Sequence, residues 1–316
     1  MHWYNDTLDR RCIAWFLLIA FGLAWLLDLT IWLNGGLAKA HGLLFGLLTL
    51  LRNFTPAIAV FVVTHWISPL PSVRLKTGLR WGKKGSRWGL YWLFALLLVP
   101  FMFYVASPFI ANLMGVAPLD LVNFSGYRNV WKSIPGGSTL LAGISIQSLA
   151  FIALGTLPIF ALFISPLSFG EEWGWRGYLL TQLLPLGQWR ALIITGLIWG
   201  LWHFPLYTGA EFPKLNPLLA LILFALFTTI WGIVLGWMRL ATDSLWPAVL
   251  GHAGIDSGQS LAVLAVFSKA GTAYNAALAS PVGLAGMVAP LVAIFILVIT
   301  RQLPVQGKQP RDLKPS

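Results

Sequence analysis

Long apolar runs constrain this chain more than any other feature. A helix needs about 20 mostly apolar residues to cross the hydrocarbon of a bilayer, and here one such run follows another. The first is Cys12 to Leu33. Others occupy about 43–66, 88–110, a stretch beginning within 139–160, then 191–208, 217–238, 245–267 and 283–300. The expected fold is therefore all-α, a polytopic membrane protein with eight transmembrane helices and residues 1–301 as one helical domain. With 58% of its 316 residues hydrophobic and 10% charged, the chain is more apolar than a soluble domain of this length needs. The first run could pass for a secretory leader, with Ala38-Lys39-Ala40 as an A-x-A pattern. At about 22 residues it is too long for a leader's apolar core, and it reads as an uncleaved first span.

The net charge of +11 would point to nucleic acid on a soluble protein. Here it reads as basic cytoplasmic loops that set topology, and nucleic acid is not an expected partner. With both termini inside and eight crossings, 15 of the 21 Lys and Arg fall on cytoplasmic segments. Six of these, Arg74, Lys76, Arg80, Lys83, Lys84 and Arg87, share one linker. Lys39, Arg128, Lys132, Lys214 and Lys269 fall outside, and Arg52 lies within the second run. This bias supports an N-in, C-in arrangement. The stretch 111–138 reads as an outer loop with some interfacial structure, and the polar residues 302–316 as a disordered cytoplasmic tail. Cys12 is the only cysteine, which excludes an intrachain disulfide and a cysteine-based metal site. The expected location is the cell membrane, as a multi-pass protein of a prokaryotic inner membrane, with the lipid bilayer as partner.

Ionisable residues inside apolar spans point to function. Glu171 and Glu172 stand in Phe169-Gly170-Glu171-Glu172-Trp173-Gly174-Trp175-Arg176. Neighbours on a helix point about 100° apart, so the two carboxylates serve different purposes. Arg176, four residues after Glu172, shares its face and reads as its neutralising partner. Glu171 is left as a candidate general base. The plainer alternative is that both Glu cap or solvate a helix end. His203 stands in Trp199-Gly200-Leu201-Trp202-His203, with Trp199 one turn earlier on its face. Alone, such a His reads as a hydrogen bond to a neighbouring helix. His252 and Asp256 are four apart and share a face, among small residues that admit a second helix closely. They read equally as helix glue or as functional groups. His2, His41 and His65, at the terminus or near span ends, invite only the plain reading.

The conjunction says more than any member. If the fourth helix continues to about Leu183, Glu171 and His203 lie roughly 18 Å from the cytoplasmic ends of their helices, and His252 and Asp256 roughly 10 to 17 Å. Three separate helices thus bring a carboxylate, an imidazole and an imidazole–carboxylate pair to similar depth. Such a set suits hydrolysis, with a Glu–His pair activating water and a second His stabilising an oxyanion. It also matches zinc ligation by Glu171, His203, His252 and Asp256, with water at the open position. The H-E-x-x-H metalloprotease pattern and a serine in a nucleophile-elbow setting are both absent.

In this order the three motifs resemble the CAAX protease and bacteriocin-processing family of intramembrane endopeptidases, which includes the type II CAAX prenyl proteases. That family shows E-E-x-x-x-R, F-x-x-x-H and H-x-x-x-N or H-x-x-x-D on separate helices. The first motif is complete at Glu171 to Arg176. The second has Trp199 where Phe is usual, and the third has Asp256 where Asn is commoner. The resemblance covers about 150–260. It implies an all-helical membrane endopeptidase with a cavity open to the cytoplasm, Glu171 and His203 activating water, and His252 with Asp256 at the oxyanion. An ionised Asp cannot donate to an oxyanion, so Asp256 would orient His252, be protonated, or bind a metal. The implied substrate is a peptide or membrane-anchored protein. The competing expectations are an inactive immunity or scaffold factor of the same fold, and a transporter.

Overall fold

Apolar runs become helices because, away from water, a backbone must satisfy its own hydrogen bonds. The computed structural model describes residues 7–34, 42–82, 87–206, 211–212, 214–257 and 261–305, and among these no strand forms beyond an isolated bridge between Leu119 and Ser268. The A-x-A pattern, His2, His41, Lys83, Lys84 and residues 306–316 of the expected tail lie outside the described residues.

Among the described residues, the longer helices organise the fold. α1 (Arg10–Leu33) starts at Asp9, whose side chain accepts the Cys12 backbone N–H at 3.0 Å. That N-cap bond also holds the Asp9 carboxyl below its usual pKa. α2 (Gly42–Val62) continues as a π-turn, Val63–Ile67. α3 spans Trp88–Leu113 and is broken into π-turns on either side of Pro100, which has no N–H for the helical ladder. α4 (Ile146–Glu172) runs on through a π-helix, Trp173–Leu179, and a last turn, Leu180–Leu183. α5 is Gln188–His203, α6 Pro217–Thr242, α7 Trp246–Asp256 and α8 Leu284–Ile299. The 111–138 stretch holds a short helix, Ser125–Ser133.

Among the described residues, six stretches are long and apolar enough to cross a membrane: Arg10–Leu33, Gly42–Ile67, Trp88–Leu113, Ile146–Leu186, Pro217–Thr242 and Ala276–Ile299. The protein is multi-pass. The expected fifth and seventh spans are shorter helices, α5 with 16 residues and α7 with 11. α5 stops just before Pro205, which has no N–H with which to continue the helical ladder. α7 ends among Gly254, Asp256 and Ser257, which are poor helix formers, with the Asp256 carboxylate at the unfavourable negative end of the helix dipole.

α5 lies close against α6. A Cβ added to Gly196 would come within 2.5 Å of the Thr229 Cα, and one on Gly200 within 2.8 Å of the Ala225 Cα. This G-x-x-x-G spacing lets the two backbones approach, and it places the end of α5 beside the start of α6.

The helices define two ends. At one, the 68–82 linker is bound to the α6–α7 turn, with Leu245 N–H donating to the Gly78 carbonyl at 2.9 Å, Ser244 Oγ to the Arg80 carbonyl at 2.6 Å, and Arg80 paired with Asp243. The Trp173 indole donates to Thr77 Oγ1 at 3.0 Å, and Val305 N–H to Gln188 Oε1 at 2.6 Å. At the other end, the Trp32 indole of α1 donates to the Pro205 carbonyl at 2.7 Å, just past α5.

Candidate active site

The acidic motif sits where α4 changes pitch. Glu171 and Glu172 close its α-helical part, and the π-helix begins at the next residue. Such turns recur at functional sites because they re-aim side chains without ending the helix. The helix does continue to Leu183, as the sequence leads one to expect. Both carboxylates are buried and face different partners.

Glu172 accepts from Arg176 Nη1 at 2.5 Å, the expected ion pair. The same oxygen lies 2.9 Å from His252 Nδ1 on α7. Glu172 therefore does more than neutralise Arg176, because it also fixes one side of the second histidine.

Glu171 meets α5 instead. Its Oε2 accepts from the Trp199 indole at 2.7 Å and lies 3.9 Å from His203 Nε2. His203 Nδ1 lies 3.0 Å from the Trp199 carbonyl. A carbonyl only accepts, so Nδ1 carries the proton, and in the neutral ring Nε2 turns its lone pair towards Glu171.

His252 and Asp256 pair along one face of α7, Nε2 to Oδ2 at 3.3 Å. His252 thus has a carboxylate on each ring nitrogen. Trp199 ties the groups together. Its ring packs edge to face with His252 at 5.1 Å between centroids, and the Arg176 guanidinium lies 4.2 Å from its centroid. Glu171, His203, His252 and Asp256 all line one cavity of about 280 Å³, whose walls include Phe103, Leu167, Phe224 and Phe227. His65 lies apart from it, stacked on Phe61.

Sequence reasoning missed three contributors. The first is the Trp199 indole, seen only as a neighbour of His203. The second is Asn53 and Glu211 on the cavity wall. The third is a buried ion pair between Asp28 of α1 and Arg52 of α2, with Nε to Oδ1 at 2.6 Å. Arg52 Nη2 also donates to the Trp202 carbonyl at 2.9 Å, and its guanidinium lies 3.9 Å from the Trp202 ring centroid. The pair therefore steadies the end of α5 that carries His203. A lone Arg and a lone Asp in adjacent apolar runs were the signal for it.

The donor geometry tests the zinc expectation. Among the described residues, no three His, Cys, Asp or Glu are grouped so as to hold a metal ion. Both His252 nitrogens face carboxylates and His203 Nδ1 faces a carbonyl. Glu171, His203, His252 and Asp256 as placed do not fit a zinc site, and no step is routed through one.

The cavity is lined by His203 and Asp256, the last residues of α5 and α7, by Glu211 beyond α5, and by Val282 just before α8. All of these lie at the end away from the basic linker.

No curated protein matches the chain. Residues 152–258 match the family model described as Rce1-like, type II CAAX prenyl endopeptidase Rce1-like. That interval contains all three motifs, and over it the chain is similar to the CAAX protease family.

Proposed function

We propose that the protein is an intramembrane endopeptidase of the CAAX protease type, hydrolysing a peptide bond in a peptide or membrane-anchored protein at the cell membrane of a prokaryote. The observation that carries this reading is the 3.9 Å separation of Glu171 Oε2 and His203 Nε2 on the cavity wall. It exceeds a direct hydrogen bond and suits one water making two bonds of ~2.8 Å.

In this reading Glu171 takes a proton from that water while the oxygen attacks the peptide carbonyl carbon. The carbonyl π pair moves onto oxygen, and His203 Nε2 steadies the attacking water. His252, with a carboxylate on either side, carries protons on both nitrogens and presents Nε2–H to the oxyanion. Asp256 accepts that proton's hydrogen bond at rest and keeps it aimed into the cavity. The proton held by Glu171 passes to the leaving nitrogen, the C–N bond breaks, and an acid and an amine leave.

The rival reading, an inactive immunity or scaffold factor, draws on the Trp199 indole already bound to one Glu171 oxygen. Glu171→Gln separates the two. It keeps the Trp199 bond and removes the base, so it is expected to accumulate normally while peptides released in wild-type membranes disappear from a comparative peptidome. An unchanged peptidome would sink the catalytic assignment. Zinc is checked on the same purified protein, by elemental analysis with activity before and after chelation. A stoichiometric ion whose removal abolishes activity would require a ligand geometry other than the one described.

A further inference from the structure

The histidines reach the cavity from α5 and α7, and a second polar group reaches it from α2 and α4. Thr49 and Asn53 stand one turn apart on α2, Ser168 and Glu171 three residues apart on α4, and all four line the cavity. The two helices touch at the acidic motif. A Cβ added to Gly170 would come within 2.5 Å of the Asn53 carbonyl oxygen and 3.0 Å of the Phe54 Cα. Asn53 is therefore level with Glu171, and Thr49 lies one turn further along the wall.

The hydroxyls of this strip are left open. Thr49 Oγ1 and Ser168 Oγ are buried without a hydrogen bond to any described residue, and Ser168 is only 3% exposed. A helical hydroxyl can donate to a carbonyl one turn back, as Thr55 of α2 does to Arg52 and Thr156 of α4 does to Ile152, each at 2.9 Å. Buried polar groups are nearly always paired, so a hydroxyl left open on a cavity wall is available to whatever enters. The Asn53 amide adds two donors and an acceptor. Thr49 and Asn53 are about 6 Å apart along the axis of α2. Groups on one edge of an extended peptide repeat about every 6.8 Å. A strand laid along α2 can thus offer successive main-chain groups of one edge to Thr49 and Asn53. Its other edge then turns towards the rest of the cavity, where His252 stands, and its side chains meet the walls made by Phe103, Phe224 and Phe227.

We propose that Thr49, Asn53 and Ser168 form a binding strip for the main chain of an extended peptide with apolar side chains, holding it beside Glu171. That the bound peptide is also cut rests on the endopeptidase reading, whereas the binding does not.

Two fluorescein-labelled probes test the strip on the full chain in lipid nanodiscs. One is a short peptide of alternating Leu and Ala, the other its ester counterpart, in which every backbone N–H is replaced by oxygen. Binding is read as anisotropy in excess of protein-free discs. The wild-type protein is expected to bind the peptide about tenfold more tightly than the ester, and the double variant Asn53→Leu with Ser168→Ala to bind the two alike. Ser168→Ala alone removes an unpaired hydroxyl, so it should keep the melting temperature and lower the preference about threefold. A wild-type protein that does not distinguish the probes, or variants that distinguish them as the wild type does, would overturn the proposal. So would a melting temperature lowered by Ser168→Ala, which would make that hydroxyl a structural group. Glu171→Gln separates the two claims. Probe preference intact, with a Glu171→Gln peptidome equal to wild type, removes the peptidase reading alone. A changed peptidome with no probe preference removes the binding strip alone.

Discussion

One oxygen of Glu172 serves two partners. It accepts from Arg176 and faces His252 Nδ1, all within a buried setting. Removing it leaves the Arg176 guanidinium without its carboxylate, a change that costs roughly 3–5 kcal/mol at buried pairs. Glu172→Ala is therefore expected to lower the yield of monodisperse protein from membranes sharply. Normal yield with cleavage alone lost would instead assign Glu172 wholly to His252. The Asp28–Arg52 pair obeys the same rule. Asp28→Ala should lower yield and thermal stability, while Asp28→Leu with Arg52→Met should recover much of both, because apolar residues of similar volume often replace a buried ion pair without loss. A double variant no better than the single would mean that Arg52 acts chiefly through Trp202. At this scale the sequence was readable wherever a polar group stood out in an apolar run, as with Glu171, His203, His252 and Asp256. Its partners were not. The bonds from Trp199 to Glu171 and from Glu172 to His252 join helices far apart in the chain, and no local pattern encodes them.

At the scale of elements, the α5–α6 seam has little slack. Gly196 and Gly200 leave no room for a Cβ against the backbone of α6, and overpacking a tight contact costs typically about 1–3 kcal/mol. Gly196→Ile is expected to lower the melting temperature in detergent, read by intrinsic Trp fluorescence. Gly22→Ala on α1, with nothing within 4 Å of its added Cβ, should be neutral or slightly stabilising. Equal effects from the two would show that the seam is not limiting. The long spans were legible because apolar length alone specifies them. The ends of α5 and α7 were not, since the apolar runs continue past the residues, Pro205 and the Gly254–Ser257 group, at which the helices stop.

Across the whole molecule, chemistry and enclosure come from different parts of the chain. The matched interval, 152–258, holds every proposed catalytic side chain, while Thr49, Asn53 and Phe103 on the cavity wall come from α2 and α3. Both histidines ride on the two helices too short to span. At 1.5 Å per residue α7 is roughly 16 Å long, against a hydrocarbon layer of about 30 Å. If α7 starts at one membrane surface, it stops some 14 Å short of the other. A helical substrate has its carbonyls locked in its own hydrogen bonds. Unwound, at about 3.4 Å per residue, some four residues of it cover that distance, and its peptide bonds are then open to attack.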